Sequence, residues 1–145
     1  MNLSGLPDDF EVPAGFGLSP SRGPFTQHNG PIYRATGEGD LRSGLLVLER
    51  HCNSMGFLHG GMASAFADGA LAWAVFDRTR RMSVTLKLTL QYFTTVRLHN
   101  WLEALPRVIS YEDGIVQVTA DLSVDGKKLA ARADATFRTV RRQQK

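Results

Sequence analysis

From Met62 to Phe76 the chain is apolar or small at every position except Ser64 and Asp68, so no polar face can be drawn at any helical phase. A helix of that kind is covered on all sides. It cannot span a bilayer, because it is shorter than the roughly 20 apolar residues needed and holds a carboxylate near its middle. Beyond a polar connection at Asp77-Arg78-Thr79-Arg80-Arg81, the stretch Ser83–Phe93 alternates strictly. Val84, Leu86, Leu88, Leu90 and Tyr92 fall on one face and Ser83, Thr85, Lys87, Thr89 and Gln91 on the other, which predicts a strand. A weaker strand follows over Asn100–Tyr111, where Pro106 points to an edge or a bulge. Glu112-Asp113-Gly114 then turns the chain into Ile115–Val124, with Val116, Val118, Ala120, Leu122 and Val124 inward. Asp125-Gly126 predicts a hairpin leading into Lys127–Thr139, with Leu129, Ala131, Ala133, Ala135 and Phe137 on one face.

Ahead of the helix, Leu41–Arg50 reads as a strand, and Gln27–Ala35 as a first strand weakened by Asn29-Gly30-Pro31. Residues 1 to about 24 hold Pro7, Pro13, Pro20 and Pro24 among Gly5, Gly15, Gly17 and Gly23, a density that breaks regular structure. They read as an arm on the domain, with a helical turn near Asp8–Val12 and Phe10 and Phe16 as anchors. The order is strands, one long helix, then an antiparallel meander, an α+β class. A curved sheet covers only part of a helix that is apolar all round, so a second copy of the chain is expected to cover the remainder.

A length of 145 residues suits one domain, and 43% apolar with 21% charged residues is ordinary for a globular protein. The net charge of +3 is a mild excess, concentrated in Arg138, Arg141, Arg142 and Lys145, which read as a solvated basic tail. No basic stripe interleaved with aromatics is present, so neither a nucleic-acid surface nor a membrane partner is expected. Cys52 is the single cysteine and no apolar leader precedes the domain, which sets the expectation of a cytoplasmic protein without disulfides. His28, His51, His59 and His99 lack metal-ligand spacing, so no metal or cofactor is expected. A His51–Cys52 thiol pair is disfavoured because adjacent strand residues point to opposite faces. Neither a serine-hydrolase elbow nor a phosphate loop occurs.

Asp68 is the anomaly. Its helix-face neighbours Ser64, Ala65, Leu71 and Ala72 include no cation, and an ionised carboxylate is almost never buried without a partner. At the helix start, His59-Gly60-Gly61 offers no Ser, Thr, Asp or Asn as a cap. Unpaired first-turn N–H groups at a positive dipole end suit a carbonyl oxygen that becomes an oxyanion; a plain glycine turn is the structural alternative. Asp68 lies seven residues beyond Gly61, roughly 10 Å along the axis at about 1.5 Å per residue. If an oxyanion sits at these amides, the acid must come from a neighbouring helix. Two helices antiparallel across a two-fold axis would make two equivalent shared sites.

Asn53, Gly56, His59-Gly60-Gly61 and Asp68 nine residues after the histidine resemble the signature of hotdog-fold thioesterases of the phenylacetate-degradation (PaaI) type. With the strands that follow, the resemblance covers about Phe25 to Val140. It implies a hotdog domain over residues 25–140, an arm over 1–24 and a tail over 141–145. The fold implied is an antiparallel sheet wrapped around one long central helix. The activity implied is hydrolysis of an acyl-CoA thioester by a homodimer with shared sites, itself expected to form a homotetramer. Carried over residue by residue, Asp68 is the general base or nucleophile and Gly60 the oxyanion donor. Asn53 orients substrate or water, His59 fixes the loop and polarises the carbonyl, and Ser83 is the hydroxyl beside the acid. Gly61, Phe57 and Met62 are expected to contact substrate. Thr85 departs from the many relatives that hold a further acid there.

Structural alternatives stay open for each polar residue. Asn53 can serve an Asn-type turn, His59 can bond its own loop, and Ser83 can simply begin its strand. Two other functions also stay open: a non-catalytic acyl-CoA-binding hotdog module and a hotdog enoyl-CoA hydratase.

Overall fold

A computed structural model of the chain describes residues 1–141, so the remainder of the expected basic tail lies outside the described residues. The elements run β1 (Phe16–Leu18), α1 (Pro24–Asn29), β2 (Tyr33–Ala35), β3 (Ser43–Leu46), a single tight turn of helix at Glu49–His51, α2 (Gly60–Thr79), β4 (Ser83–Tyr92), β5 (Trp101–Glu112), β6 (Ile115–Val124) and β7 (Lys128–Thr139). The seven strands form one antiparallel sheet in the order β1-β2-β3-β5-β6-β7-β4. That sheet wraps around α2, which touches β4, β5, β6 and β7; this is the hotdog arrangement.

The side of α2 turned to the sheet is a stripe of Ala63, Phe66, Ala67, Ala70, Leu71, Ala74 and Val75, all buried, at the spacing of one helical face. Opposite it the sheet presents Val116, Val118, Ala120, Leu122, Ala131, Ala133, Ala135 and Phe137. The small residues on both sides bring the strands close to the helix axis. The rest of the helix, expected to be covered all round, is only partly covered within one chain.

Three sequence expectations change before the helix. The segment 1–24, read as an arm without regular structure beyond a helical turn at Asp8–Val12, holds no helix there and contributes β1, which pairs with β2. Gln27–Ala35 is not one strand: its first residues belong to α1, which Pro24 opens at a position where proline's missing N–H costs nothing. Only Tyr33–Ala35 is extended. The strand expected over Leu41–Arg50 ends at Leu46, and Glu49–His51 turns helically.

Within the sheet, Pro106 lies on β5 between β3 and β6 rather than on an edge strand. The ladder to β3 reaches no further than Ala104. Pro106 therefore sits where β5 has no neighbour on that side, and its missing donor is tolerated.

Strand β4 begins where expected and ends one residue before Phe93, but it does not keep its expected faces. The register with β7 slips between Thr85 and Lys87, so Leu86 is an extra residue in the ladder. A bulge shifts the period-two alternation by one. Thr85 now pairs with Phe137, as Leu88 pairs with Ala135 and Leu90 with Ala133, so Thr85 shares the helix-facing side with the two leucines. Val84 and Leu86, expected inward, are 49% and 53% exposed. A similar slip at the start of β7 turns Leu129 away from the face of Ala131.

The N-terminal segment is held by a second cluster. Phe10, Phe16 and Tyr33 pack around Trp101, with ring centroids 6.2, 5.3 and 5.5 Å from it. The Trp101 ring crosses β3 directly over Gly44, where a Cβ would overlap it.

His51, 1% exposed, fastens this segment to the loop before α2. The Leu48 N–H donates to its Nδ1 at 3.1 Å, which puts the ring proton on Nε2, and Nε2–H donates to the Asn29 carbonyl at 2.6 Å. Burial, with Arg50 nearby, pushes its pKa below the ordinary 6.5. The native state thus resists protonating a ring that the unfolded chain protonates freely. Stability is unaffected above about pH 6.5 and falls as the pH drops below it. Melting temperatures of wild type and His51→Asn, followed from pH 7.5 downward, are expected to converge as pH falls. Parallel curves would refute the assignment.

Candidate active site

The chain enters α2 through a loop tethered at several points. Cys52 bridges to Leu58 and Phe57 to Arg97, the His59 N–H bonds the His51 carbonyl at 2.8 Å, and the Leu58 N–H bonds the Val96 carbonyl at 2.7 Å. Asn53 shapes the turn: its Oδ1 accepts from the Met55 and Phe57 N–H groups at 3.0 and 3.2 Å. The Asn-type turn is therefore present. It leaves the Asn53 Nδ2 without an acceptor among the described residues.

His59 caps the helix. Its Nδ1 accepts the Gly61 N–H at 2.8 Å, which corrects the expectation of an uncapped start. Two consequences follow. The Gly61 N–H is spoken for, whereas the Gly60 N–H has no acceptor among the described residues. With Nδ1 accepting from the Gly61 N–H, a neutral ring holds its proton on Nε2, so His59 keeps an N–H donor with no acceptor among the described residues. Phe57 lies in the same loop under the Arg97 guanidinium, 5.7 Å from it.

The sequence did not single out Tyr92 for this site. Its hydroxyl donates to the Gly60 carbonyl at 2.8 Å and sits 3.2 Å from the Ser64 hydroxyl, which also donates to that carbonyl at 3.0 Å. Two donors on one carbonyl fix the first peptide of the helix against β4. Tyr92→Phe is expected to lower kcat about two- to tenfold, the worth of one hydrogen bond of about 0.5–1.5 kcal/mol, with KM little changed. A rise in KM at constant kcat would instead make Tyr92 a substrate contact.

Asp68 is half-buried on α2. Its partner is Thr85, whose hydroxyl donates to Asp68 Oδ1 at 2.6 Å. The hydroxyl on the acid thus comes from Thr85, which the bulge at Leu86 places on the helix side, and Ser83 lines a cavity instead. One carboxylate oxygen is held and the other stays available as an acceptor or nucleophile.

That cavity, of about 590 Å³, runs along the uncovered side of α2 past Met62, Ala65, Gly69, Ala72, Trp73 and Phe76. Its other wall is the segment from Ser19 to Arg34, together with Ser43 and Arg81–Ser83. Ala65 and Ala72, which flank Asp68 at helical spacing, line the cavity, and Asp68 itself does not. Gly60, Gly61, Asn53 and His59 are gathered at one helix end, and Asp68 with Thr85 lies about two turns down the axis. Within one chain the two groups are not brought together.

No cluster of His, Cys, Asp or Glu that could hold a metal exists among the described residues. The Cys52 thiol donates to the Leu48 carbonyl at 3.5 Å, and burial, with Glu49 nearby, pushes its pKa up. It is unsuited to act as a thiolate. No helix among the described residues is long and apolar enough to cross a membrane.

Known proteins resemble this chain in sequence and in fold. The family model described as thioesterase superfamily matches residues 55–131. A provisionally named esterase of Pseudomonas aeruginosa is 33% identical over 129 residues, covering 87% of this chain and 96% of that one. Among solved structures, a mutant of the phenylacetic acid degradation protein PaaI of Thermus thermophilus superposes with a TM-score of 0.70 at 22% identity, covering 81% of this chain and 100% of that one. A Streptococcus mutans protein bound to acetyl-CoA superposes with a TM-score of 0.65 at 21% identity, covering 71% and 82%.

Proposed function

The chain belongs to the thioesterase superfamily, and from that premise we propose that it hydrolyses the thioester of an acyl-CoA to the free acid and CoA. The observation that carries this is Asp68: a carboxylate on a helix of apolar and small residues, oriented by Thr85 at 2.6 Å, with its helix neighbours Ala65, Gly69 and Ala72 lining a largely apolar cavity. Thr85 holds one of the carboxylate's oxygens and leaves the other free for substrate or water.

In the mechanism, the thioester carbonyl accepts hydrogen bonds from the Gly60 N–H and from His59 Nε2–H. The donors meet the oxygen where negative charge develops, and each is worth about 10²–10³ in rate. Asp68 removes a proton from the attacking water, or attacks the carbonyl carbon itself, through the oxygen that Thr85 leaves free. The Asn53 Nδ2 donates to the water or the substrate, and Phe57, Gly61 and Met62 stand where the acyl-CoA passes. Ser83 contacts the acyl group from the cavity wall. No metal or cofactor enters.

The acid is the partner's. The separation along α2 makes a single-chain site unworkable, and two further features favour a homodimer. β4 is a free sheet edge carrying exposed Val84 and Leu86, a ready template for pairing with a second copy. The cavity side of α2 also needs cover. Dimers pairing into a tetramer, and a cytoplasmic setting, complete the proposal.

The test is free-thiol release from short, long and aromatic acyl-CoA esters. Turnover of at least one class supports the proposal. Tight acyl-CoA binding without thiol release would overturn it in favour of a binding module, and loss of enoyl absorbance without thiol release in favour of a hydratase.

A further inference from the structure

The cavity beside α2 is lined by two cations, Arg34 and Arg81, and by no acid. Arg34 stands on β2, outside the residues 55–131 that the family model matches, and is half-buried. Its guanidinium lies over the Trp73 ring, 4.1 Å from the centroid. Stacking of this kind occupies the flat face of the group and leaves its in-plane N–H donors free. Among the described residues, those donors meet neither a carboxylate nor any other acceptor, unlike Arg42 and Arg132, which are paired. Burial alone pushes the Arg34 pKa down, with no neighbouring acid to offset it.

A partly desolvated guanidinium without a counter-charge is costly to hold. The surrounding wall shows what would repay it. Trp73, Phe76, Phe66 and Phe25 offer apolar and aromatic surface, and Ser43 and Thr26 line the same cavity as Arg34. The volume of about 590 Å³ is that of a small-molecule site.

We propose that this cavity takes acyl groups ending in a carboxylate, with Arg34 as the specificity-determining residue. The far carboxylate lies in the plane of the guanidinium as a bidentate pair, and the body of the acyl group lies against Trp73 and Phe76. Ser43 and Thr26 are the hydroxyls available to the remaining oxygen lone pairs. This rests on the thioesterase reading, since it names the acyl portion of that substrate. The CoA phosphates are the other anionic source, and the test separates the two.

The experiment compares matched esters: glutaryl-, adipoyl-, suberyl- and terephthaloyl-CoA against pentanoyl-, hexanoyl-, octanoyl- and para-toluoyl-CoA. Each is measured with wild type, Arg34→Met and Arg34→Lys. Wild type is expected to favour the carboxylated member of at least one pair by about tenfold in kcat/KM, the scale of one charged hydrogen-bonded contact. Arg34→Met should lower that ratio about tenfold, and Arg34→Lys, which keeps the charge but loses the fork, should lower it less. Both members of a pair carry the same CoA, so phosphate contacts cancel in the ratio. A wild-type preference for the uncharged member in every pair would overturn the inference. So would an equal loss on both members in Arg34→Met, which would put the guanidinium on CoA or on a second copy.

Calorimetric binding of free glutarate, adipate, suberate and terephthalate separates this inference from the thioesterase reading. Binding weakened by Arg34→Met, with no ester turned over, would sustain the carboxylate site and refute the hydrolysis. Ester turnover with neither diacid binding nor carboxylate preference would do the reverse.

Discussion

Asp68→Asn is expected to lower turnover about 10²–10⁴-fold on whichever ester the wild type hydrolyses best, the usual worth of a general base. The substitution keeps the shape of the side chain and an oxygen for the Thr85 hydroxyl, which stands at 2.6 Å from the acid. Folding and oligomer should survive, because a neutral amide at a half-buried position is easier to cover than a carboxylate. KM should change little. Turnover indifferent to the substitution would refute the assigned chemistry while leaving the activity in place.

The same variant tests whether the site is shared. His59→Ala removes the cap on the Gly61 N–H together with the ring's Nε2–H donor, and should also inactivate. Co-expressed with Asp68→Asn, it should restore about a quarter of wild-type activity: half of randomly formed dimers are hybrids, and each hybrid has one intact site. A site built within one chain would give no recovery at all.

Trp101→Ala is expected to cost about 3–5 kcal/mol, as for other large buried aromatics. Trp101 is 6% exposed and is the ring on which Phe10, Phe16 and Tyr33 converge. Its loss should do more than open a void, because the segment it anchors forms the cavity wall opposite α2. Denaturant melts should show the lost stability, and limited proteolysis should cut before Tyr33 earlier than in wild type. A loss of stability with the segment still protected would show that the strand pairing of β1 to β2, and not the aromatic cluster, holds the wall.

What the sequence determined by itself was whatever depends on local pattern. The helix was legible because fifteen successive positions hold apolar or small residues with only Ser64 and Asp68 between them, although it runs on through Asp77–Thr79, which read as a polar connection. The hairpin at Asp125-Gly126 was legible because both residues take positive φ, 54° and 68°, where the steric cost falls least on Asp and Gly. The prominence of Asp68 was legible too, since burying a carboxylate among alanines is unfavourable without a purpose.

Only the tertiary structure decided how these pieces meet. Strict alternation assigned Thr85 to the outer face of its strand, and one extra residue at Leu86 reversed that; a bulge is set by pairing with β7, and nothing in β4 alone announces it. His59 became a cap because the loop holds its ring over the Gly61 N–H, although histidine is not among the usual caps. Gly44 is required on β3 because the Trp101 ring lies across it, a contact between residues distant in sequence. Arg34 lies far in sequence from Trp73 and becomes notable only when the fold stacks the two beside an acid-free cavity. Local sequence fixes which backbone shapes are cheap, whereas register, burial and the pairing of distant polar groups depend on free energies shared by the whole chain.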